Sequence, residues 1–184
     1  MEEHILIAQL KEGNQQAYRY LVNYYRVAVY NTVLNLLQDT DEADDIAQDV
    51  FVKVFNAINQ FNGQSSLSTW IYRIAVRKAI DRIRQIKAKR ALLQLLLWPQ
   101  AGNNTNNRFE HPGVNLEHKE KAAILFKAIA RLPEKQKAAF TLIKVQELSY
   151  QEASEIMQMS IKALESLISR AKNNLQKDLV HYDL

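Results

Sequence analysis

The sequence of 184 residues contains no cysteine, four glycines and three prolines. Without cysteine, the chain can form neither a disulfide framework nor a thiolate metal site. With so few glycines and prolines, it lacks the turn residues that an all-β protein needs after each short strand. No apolar run approaches the roughly 20 residues of a membrane-spanning helix, and the first residues lack the basic and apolar regions of a signal peptide. These absences favour a helical protein of the cytoplasm.

Apolar residues make up 47% of the chain, a proportion typical of a folded protein. They recur at intervals of three and four residues, which is the spacing of amphipathic helices. The pattern predicts an all-α fold with helices over residues 5–10, 17–37, 41–60, 67–89, 115–131, 133–146, 149–157 and 161–179.

One segment has the composition of a flexible linker. Residues 99–114 contain four asparagines, two glycines and two prolines, a mixture typical of flexible connections. We therefore predict two small helical domains, over residues 1–98 and 115–184.

In the second domain, the sequence from Ser149 to Glu152 matches a capping box, and Ser160 can cap the last helix after a short turn. These signals predict a helix-turn-helix.

Charge is distributed unevenly along the first domain. Residues 1–60 carry four basic and nine acidic side chains, whereas residues 61–98 carry eight basic side chains and one acidic. Such segregation indicates two surfaces with different partners. Solvated helix faces are also charged, however, so the charge pattern alone does not select between these interpretations.

The sequence offers no catalytic or metal-binding constellation. It contains no glycine-rich phosphate-binding loop, and no histidine lies beside a serine nucleophile and an acidic partner. Four acidic residues cluster within 41–45, but they begin a predicted helix, where the helix dipole stabilises carboxylates without an ion. We predict that the protein is not an enzyme and has neither a cofactor nor a metal.

Residues 61–90 combine eight basic side chains with the aromatic residues Phe61, Trp70 and Tyr72. Basic side chains along one helix can neutralise phosphates, and exposed aromatic rings can stack on unpaired bases. Because a DNA duplex hides its base faces, this mixture favours binding to a separated strand. Trp70 and Tyr72 can alternatively pack in the core, where a buried Trp70 would anchor the loop without touching DNA, and the sequence leaves both interpretations open.

Several motifs resemble, in the same order, those of the extracytoplasmic-function (ECF) group of bacterial RNA polymerase sigma factors. Residues 44–55 look like the acidic helix that meets the polymerase clamp, and residues 61–75 resemble the promoter-melting segment. Residues 132–136 and 148–153 resemble the start of the second DNA-binding domain, and residues 169–175 fit its end. The resemblance implies a sigma factor that binds core RNA polymerase and directs promoter-specific strand opening and transcription initiation.

The resemblance also implies three sets of contact residues. The residues expected to bind polymerase are Asp45, Gln48, Asp49 and Phe51. Those expected to bind and melt the promoter −10 element are Phe61, Asn62, Gly63, Ser65, Trp70, Tyr72, Arg73, Arg77 and Lys78. Those expected at the −35 element, with the last helix in the major groove, are Ser149, Tyr150, Ser160, Lys162, Ala163, Glu165, Ser166, Ser169 and Arg170.

Four positions depart from the pattern of the family. Arg77 stands where many relatives carry asparagine, and Gln158 replaces the usual glycine of the turn. Glu165 and Leu167 replace basic residues of the recognition helix. A glutamate repels phosphate but can accept a hydrogen bond from a cytosine amino group. Leu167 can either be buried or touch a thymine methyl group.

The expected partners are core RNA polymerase, promoter DNA and an anti-sigma factor, which could hold the chain near a membrane that it does not enter. The apolar run 92–98 is a candidate docking patch for that inhibitor, or it packs between the two domains in a closed free state. Two other function classes stay open. One is a dimeric helix-turn-helix regulator of duplex DNA, and the other is a polymerase-binding inhibitor that supports no promoter-dependent transcription.

Overall fold

The structure is a computed structural model that describes residues 2–96 and 116–180, with side chains over 2–93 and 123–180. Within those ranges the chain forms eight α-helices and no strand, so the predicted all-α fold class is confirmed. The predicted linker 99–114 lies outside the described residues.

Four helices make up the N-terminal half. They are α1 (Glu3–Lys11), α2 (Gln15–Leu37), α3 (Thr40–Ala57) and α4 (Leu67–Leu96). Polar side chains begin three of them: Asn14 and Asp39 accept backbone hydrogen bonds at the starts of α2 and α3, and the Ser66 hydroxyl accepts one from the Thr69 amide. These caps satisfy amide groups that have no partner inside their own helix.

The C-terminal half contains four further helices. They are α5 (Leu116–Arg131), α6 (Glu134–Phe140), α7 (Tyr150–Met157) and α8 (Ile161–Leu179). The predicted helix over 133–146 is wrong in detail, because regular α-helix ends at Phe140 and a π-helical turn, Thr141–Val145, continues it. Pro133 is the N-cap residue of α6 rather than its first helical residue, since its ψ of 145° is extended.

The predicted helix-turn-helix is present as α7 and α8. Ser149 and Glu152 form both hydrogen bonds of a capping box, and Ser160 caps α8. Gln158 adopts φ 52° and ψ 49°, the left-handed region that usually takes glycine. The turn therefore keeps the geometry of a glycine turn although a glutamine occupies it.

Each half has buried apolar packing of its own. In the N-terminal half, α2 packs against both α3 and α4, and the fully buried side chains include Leu21, Val50 and Ile71. In the C-terminal half, α5 and α8 enclose a smaller cluster around Ile129 and Leu175.

The two halves also pack against each other, along an interface that we call the seam. On one side lie α2 and α4; on the other lie α5, α6, the π-helical turn after α6, and α7. Buried residues of both sides, such as Ala75 and Ile156, belong to one continuous apolar cluster. Of the apolar run 92–98, Leu92 and Leu93 are exposed, and the other side chains lie outside the described residues.

Candidate functional site

The exposed face of α3 carries the side chains predicted to bind polymerase. Asp45, Gln48 and Asp49 are exposed, and Phe51 is half-buried. Their spacing of three and four residues places Asp45 beside Gln48 and Asp49 on the helix surface. Gln48 borders two grooves, one of about 610 Å³ between α3 and α4 and one of about 370 Å³ between α2 and α3. This face therefore combines carboxylates with concave surface that a partner can fill.

Ion pairs hold this acidic face against the basic helix α4. The Lys78 ammonium lies 2.9 Å from the Asp49 carboxylate. Arg82 donates two hydrogen bonds to Glu42, one of them 2.6 Å long from Nη2 to Oε1. The bond from Arg82 holds the pKa of the Glu42 carboxyl below its usual range. The surfaces predicted for polymerase and for DNA thus adjoin along the edge between α3 and α4.

The loop before α4 is held at its base and exposed at its tip. Glu3 accepts a hydrogen bond from the Leu67 amide at 3.1 Å, which fixes the end of the loop to α1. At the tip, Asn62 accepts one from the Gln64 amide, and Gly63 has φ 73° in the left-handed region. Asn62 and Gly63 are exposed and Ser65 is half-buried, so the tip presents backbone and small side chains to a ligand.

Two aromatic residues flank this loop and contact each other. The rings of Phe61 and Trp70 have centroids 5.3 Å apart and planes inclined at 50°. Phe61 is 4% exposed, so its ring supports Trp70 in this conformation, and its expected part at the −10 element stays a prediction. Trp70 is half-buried and packs against the core. Trp70 is therefore anchored in the core, and part of its side chain stays accessible.

The seam encloses two other residues predicted to meet the −10 element. Tyr72 is 8% exposed, and its hydroxyl donates to Gln146 Oε1 at 3.4 Å. Burial raises the pKa of Tyr72. Arg73 donates from Nη2 to the Glu155 carbonyl at 3.0 Å, whereas Arg77 is exposed. In this arrangement the C-terminal half covers the middle of the predicted −10 surface.

The predicted −35 residues all lie at the surface. The exposed set is Ser149, Tyr150, Ser160, Lys162, Ala163, Glu165, Ser166, Ser169 and Arg170. The opposite face of α8 is buried through Leu164 and Ile168. Leu167 is half-buried against the core. This agrees with burial, the first of the two positions predicted for it. Helix α8 thus has one apolar face for packing and one polar face that is open.

Two polar residues of this set are already engaged in holding the helix-turn-helix together. The hydroxyls of Ser149 and Ser160 accept backbone hydrogen bonds from Glu152 and Ala163. On the open face, Arg170 donates to the carbonyl and hydroxyl oxygens of Ser166, at 3.2 and 2.9 Å. Arg170 is thereby held along the helix surface one turn from Ser166.

Two charged residues of the seam were not singled out by sequence reasoning. Glu134 lies 2.8 Å from the Lys87 ammonium and 3.5 Å from Arg84, and these cations hold the pKa of its carboxyl below the usual range. Lys137 is buried and donates to the Leu36 carbonyl at 3.2 Å. Its partner is 101 residues away in the chain, so no local pattern could have indicated the contact.

Lys137 makes the stability of the seam depend on pH. Burial, with help from Lys87, lowers the pKa of Lys137 from 10.5 to about 8. Below pH 8 the folded and unfolded chains both hold the proton, and burying the charge costs free energy. Between about pH 8 and 10.5 only the folded chain loses it, so stability rises with pH.

We therefore expect the free energy of unfolding, relative to a Lys137→Met variant, to rise by roughly 2 kcal/mol from pH 7.5 to 10. Denaturant titrations of both proteins across this range measure the difference. Lys135→Met, at an exposed neighbouring position, keeps Lys137 and should show the same rise relative to Lys137→Met as wild type does. A pH-independent difference between wild type and Lys137→Met would contradict the assignment.

Within the described ranges, no group of three or more potential metal-ligating side chains comes together. Among the helices that the structure describes, none is long and apolar enough to cross a membrane.

The sequence is similar to known families and to characterised proteins along most of its length. The sequence matches the family Sigma-70 region 2 over residues 21–89 and the family Sigma-70, region 4 over residues 122–175. It is 30% identical over 177 residues to the ECF RNA polymerase sigma factor SigW of Bacillus subtilis, covering 94% of each chain. It is 28% identical to the RNA polymerase sigma-H factor of Pseudomonas aeruginosa, covering 97% of this chain and 94% of the relative.

Two solved structures share the fold. CnrH in complex with the cytosolic domain of CnrY matches with a TM-score of 0.70 and 24% identity, over 99% of both chains. The sigma factor RpoE in complex with the anti-sigma factor NepR from Bartonella quintana matches with a TM-score of 0.67 and 22% identity, over 91% of this chain and 98% of that one.

Proposed function

This chain belongs to the ECF family of RNA polymerase sigma factors. We propose that one of its surfaces binds polymerase and that others bind promoter DNA. The chain binds core RNA polymerase, recognises two promoter elements and directs strand opening and transcription initiation. It is a transcription factor of the cytoplasm and not an enzyme. The observation that carries this function is the 30% identity to a sigma factor over 94% of both chains, joined to exposed surfaces suited to each task.

Polymerase binding is assigned to α3. Asp45 and Asp49 offer exposed carboxylates, and Gln48 and Phe51 border the adjoining grooves. A basic surface on the polymerase clamp complements these charges, and such complementarity sets both the register and the rate of association. Asp49 must then exchange its contact with Lys78 for one with the polymerase.

Recognition and opening of the −10 element are assigned to the loop 61–66 and the start of α4. Flipping a base out of the duplex costs a few kcal/mol, and a fitted pocket must offset that cost. The small side chains and exposed backbone at Asn62 and Gly63 leave room for such a base. Trp70 offers an anchored ring, and base–aromatic stacking contributes about 1–3 kcal/mol. Arg73, Arg77 and Lys78 can guide the phosphates of the separated strand.

Recognition of the −35 element is assigned to the exposed face of α8. The major groove is about 12 Å wide and admits one α-helix, and a helix-turn-helix places its second helix there. Lys162 and Arg170 can bind phosphate or guanine, while Glu165 can accept from a cytosine amino group. Ser166 lies between them on the same face.

The predicted linker 99–114 allows the surfaces assigned to the −10 and −35 elements to move apart. Elements centred at −35 and −10 lie roughly 25 base pairs, or about 85 Å, apart at 3.4 Å per step. Sixteen residues span at most about 55 Å when fully extended. The linker and the widths of the two domains together are therefore sufficient to reach both elements.

An anti-sigma factor is assigned as a further partner. The similar factor RpoE from Bartonella quintana was crystallised with one, and Leu92 and Leu93 leave apolar surface exposed at the end of α4. The docking role of the run 92–98 stays a prediction.

Size-exclusion chromatography of the purified chain with sigma-free core polymerase tests the function. We expect a 1:1 complex that selects promoter fragments from random duplex DNA. A free dimer that binds a palindromic duplex without polymerase would indicate the helix-turn-helix regulator instead. Complex formation that blocks promoter-dependent transcription would indicate the polymerase-binding inhibitor.

A further inference from the structure

We propose that α1 positions the loop assigned to the −10 element, and that the Glu3 carboxylate does so by holding the Leu67 amide at the end of that loop. Glu3 is thereby assigned as a positioning residue, which acts on base choice through the loop rather than by contact with DNA. The inference rests on the proposed function, because the shape of the loop 61–66 matters for transcription only if the loop binds a promoter base.

Helix α1 has no part in the surfaces assigned above. The match to Sigma-70 region 2 begins at residue 21 and does not include this helix. Two of its side chains are nevertheless buried, with Leu6 4% and Leu10 1% exposed. Both belong to the same apolar cluster as Phe61 and Leu67, which lie at the two ends of the loop. The core therefore holds α1 in a fixed place beside the loop.

Helix α1 contacts the chain on both sides of the loop. Before the loop, α1 packs against the 3₁₀ turn Ile58–Gln60, and the Phe61 amide donates to the Ile58 carbonyl of that turn at 3.0 Å. After the loop, Glu3 Oε1 accepts a hydrogen bond from the Leu67 amide at 3.1 Å. A single helix thus fixes the two ends of the loop relative to each other.

The Leu67 amide needs a hydrogen-bond acceptor from outside α4. Leu67 is the first residue of α4, and the first amides of an α-helix have no partner within the helix. The local cap is already used, because the Ser66 hydroxyl accepts from the Thr69 amide at 3.1 Å. Glu3, which lies 64 residues earlier in the chain, supplies the acceptor instead. The helix dipole also favours a carboxylate at this end of α4.

The tip of the loop has few constraints of its own. Within the described chain, residues 62–65 make one side-chain hydrogen bond, from the Gln64 amide to Asn62, and it lies inside the tip. A Cβ added to Gly63 would meet no atom within 4 Å, so no other element packs against that side of the tip. The position of the tip is therefore set by the two ends that α1 holds.

Base selection depends on how precisely the loop is held. A binding pocket must keep its groups within about 0.5 Å of the productive geometry, through support from surrounding residues. Without Glu3, the Leu67 amide loses its partner and the end of the loop can move relative to α1. The base that fits the undisturbed pocket then loses more than its competitors do, because selectivity is a difference between two affinities.

Run-off transcription with core polymerase and the full chain tests this inference. The templates are a promoter that the wild-type chain selects and derivatives that carry each other base at the most selective −10 position. Selectivity is the ratio of initial rates on the selected base and on the next best one. We expect Glu3→Ala to lower this ratio about three- to tenfold, the effect of losing one hydrogen bond. The effect of −35 substitutions should stay as in wild type, because α8 lies in the other half of the chain.

Two further variants make the result specific. Glu3→Gln keeps an acceptor oxygen for the Leu67 amide and should retain selectivity within about twofold of wild type. Glu2→Ala removes the same charge at the adjacent exposed position, where the carboxylate faces His4 at 3.5 Å, and should behave as wild type. Equal losses in Glu3→Gln and Glu3→Ala, or in Glu2→Ala and Glu3→Ala, would overturn the role of the hydrogen bond. An equal loss of −35 selectivity in Glu3→Ala would attribute the effect to general damage and overturn it too.

Amide hydrogen exchange in the free chain, followed by NMR, gives an independent readout without a promoter. Glu3→Ala should lower the protection of the Leu67 amide about threefold or more relative to Glu2→Ala, whereas the Ala75 amide in α4 should keep its protection. Unchanged Leu67 protection, or unchanged base selectivity, would overturn the positioning role while wild-type transcription still supports the proposed function. Absence of promoter-dependent transcription with the wild-type chain would instead refute the proposed function, and this inference with it.

Discussion

Reversing two charges on α3, with Asp45→Lys and Asp49→Lys together, is expected to weaken binding to core polymerase at least 100-fold. Both carboxylates are exposed, and losing one partner of a buried interfacial charge pair typically costs 2–5 kcal/mol or more, about 30- to 5000-fold. Helicity should be unchanged, because neither side chain is buried. Fluorescence anisotropy of the labelled chain titrated with core polymerase measures the loss.

The matched control is Glu2→Lys with Glu12→Lys, which changes the net charge equally at exposed positions around α1. It should keep wild-type affinity for the polymerase. An unchanged affinity in the α3 variant, or an equal loss in the control, would refute the assignment of α3 to the polymerase.

Trp70→Ala is expected to slow promoter opening by roughly 10- to 100-fold while leaving formation of the initial closed complex within a few-fold of wild type. The ring is anchored against Phe61 and offers its accessible part to an unpaired base, and the loss of one base–aromatic stack costs about 1–3 kcal/mol. Permanganate reactivity of unpaired thymines, followed in time after mixing, measures opening directly.

Trp70→Phe separates stacking from packing. It keeps an aromatic ring next to Phe61 and should retain most of the opening rate, whereas thermal unfolding shows how far each variant destabilises the loop. Wild-type opening rates in Trp70→Ala would show that the tryptophan only anchors the loop.

Local signals in the sequence predicted much of the fold. The range of α8 and the caps at Ser149 and Ser160 were correct, because helix periodicity and capping depend on residues within a few positions of each other. The polar face of α8 followed from the same periodicity. The π-helical turn after α6 was missed, since no composition signal distinguishes it from regular helix.

Long-range packing could not be predicted in the same way. Phe61 and Tyr72 were expected at the −10 element, with core packing left open for Tyr72. Their burial could not be predicted, because it depends on packing in the folded chain, such as the contact of Tyr72 with the distant Gln146. Lys137 bonds to Leu36, 101 positions away, and Glu134 pairs with Lys87, 47 positions away. Local sequence patterns do not indicate such contacts. A charged residue on a helix has the same local pattern whether it faces solvent or a second domain.

Run-off transcription with sigma-free core polymerase on a genomic promoter library tests the central claim most directly. With the chain added, we expect transcripts that begin at a defined set of sites sharing two elements at one fixed spacing. Core polymerase alone should produce none of these starts. Identical start sites with and without the chain would contradict its role as a specificity factor.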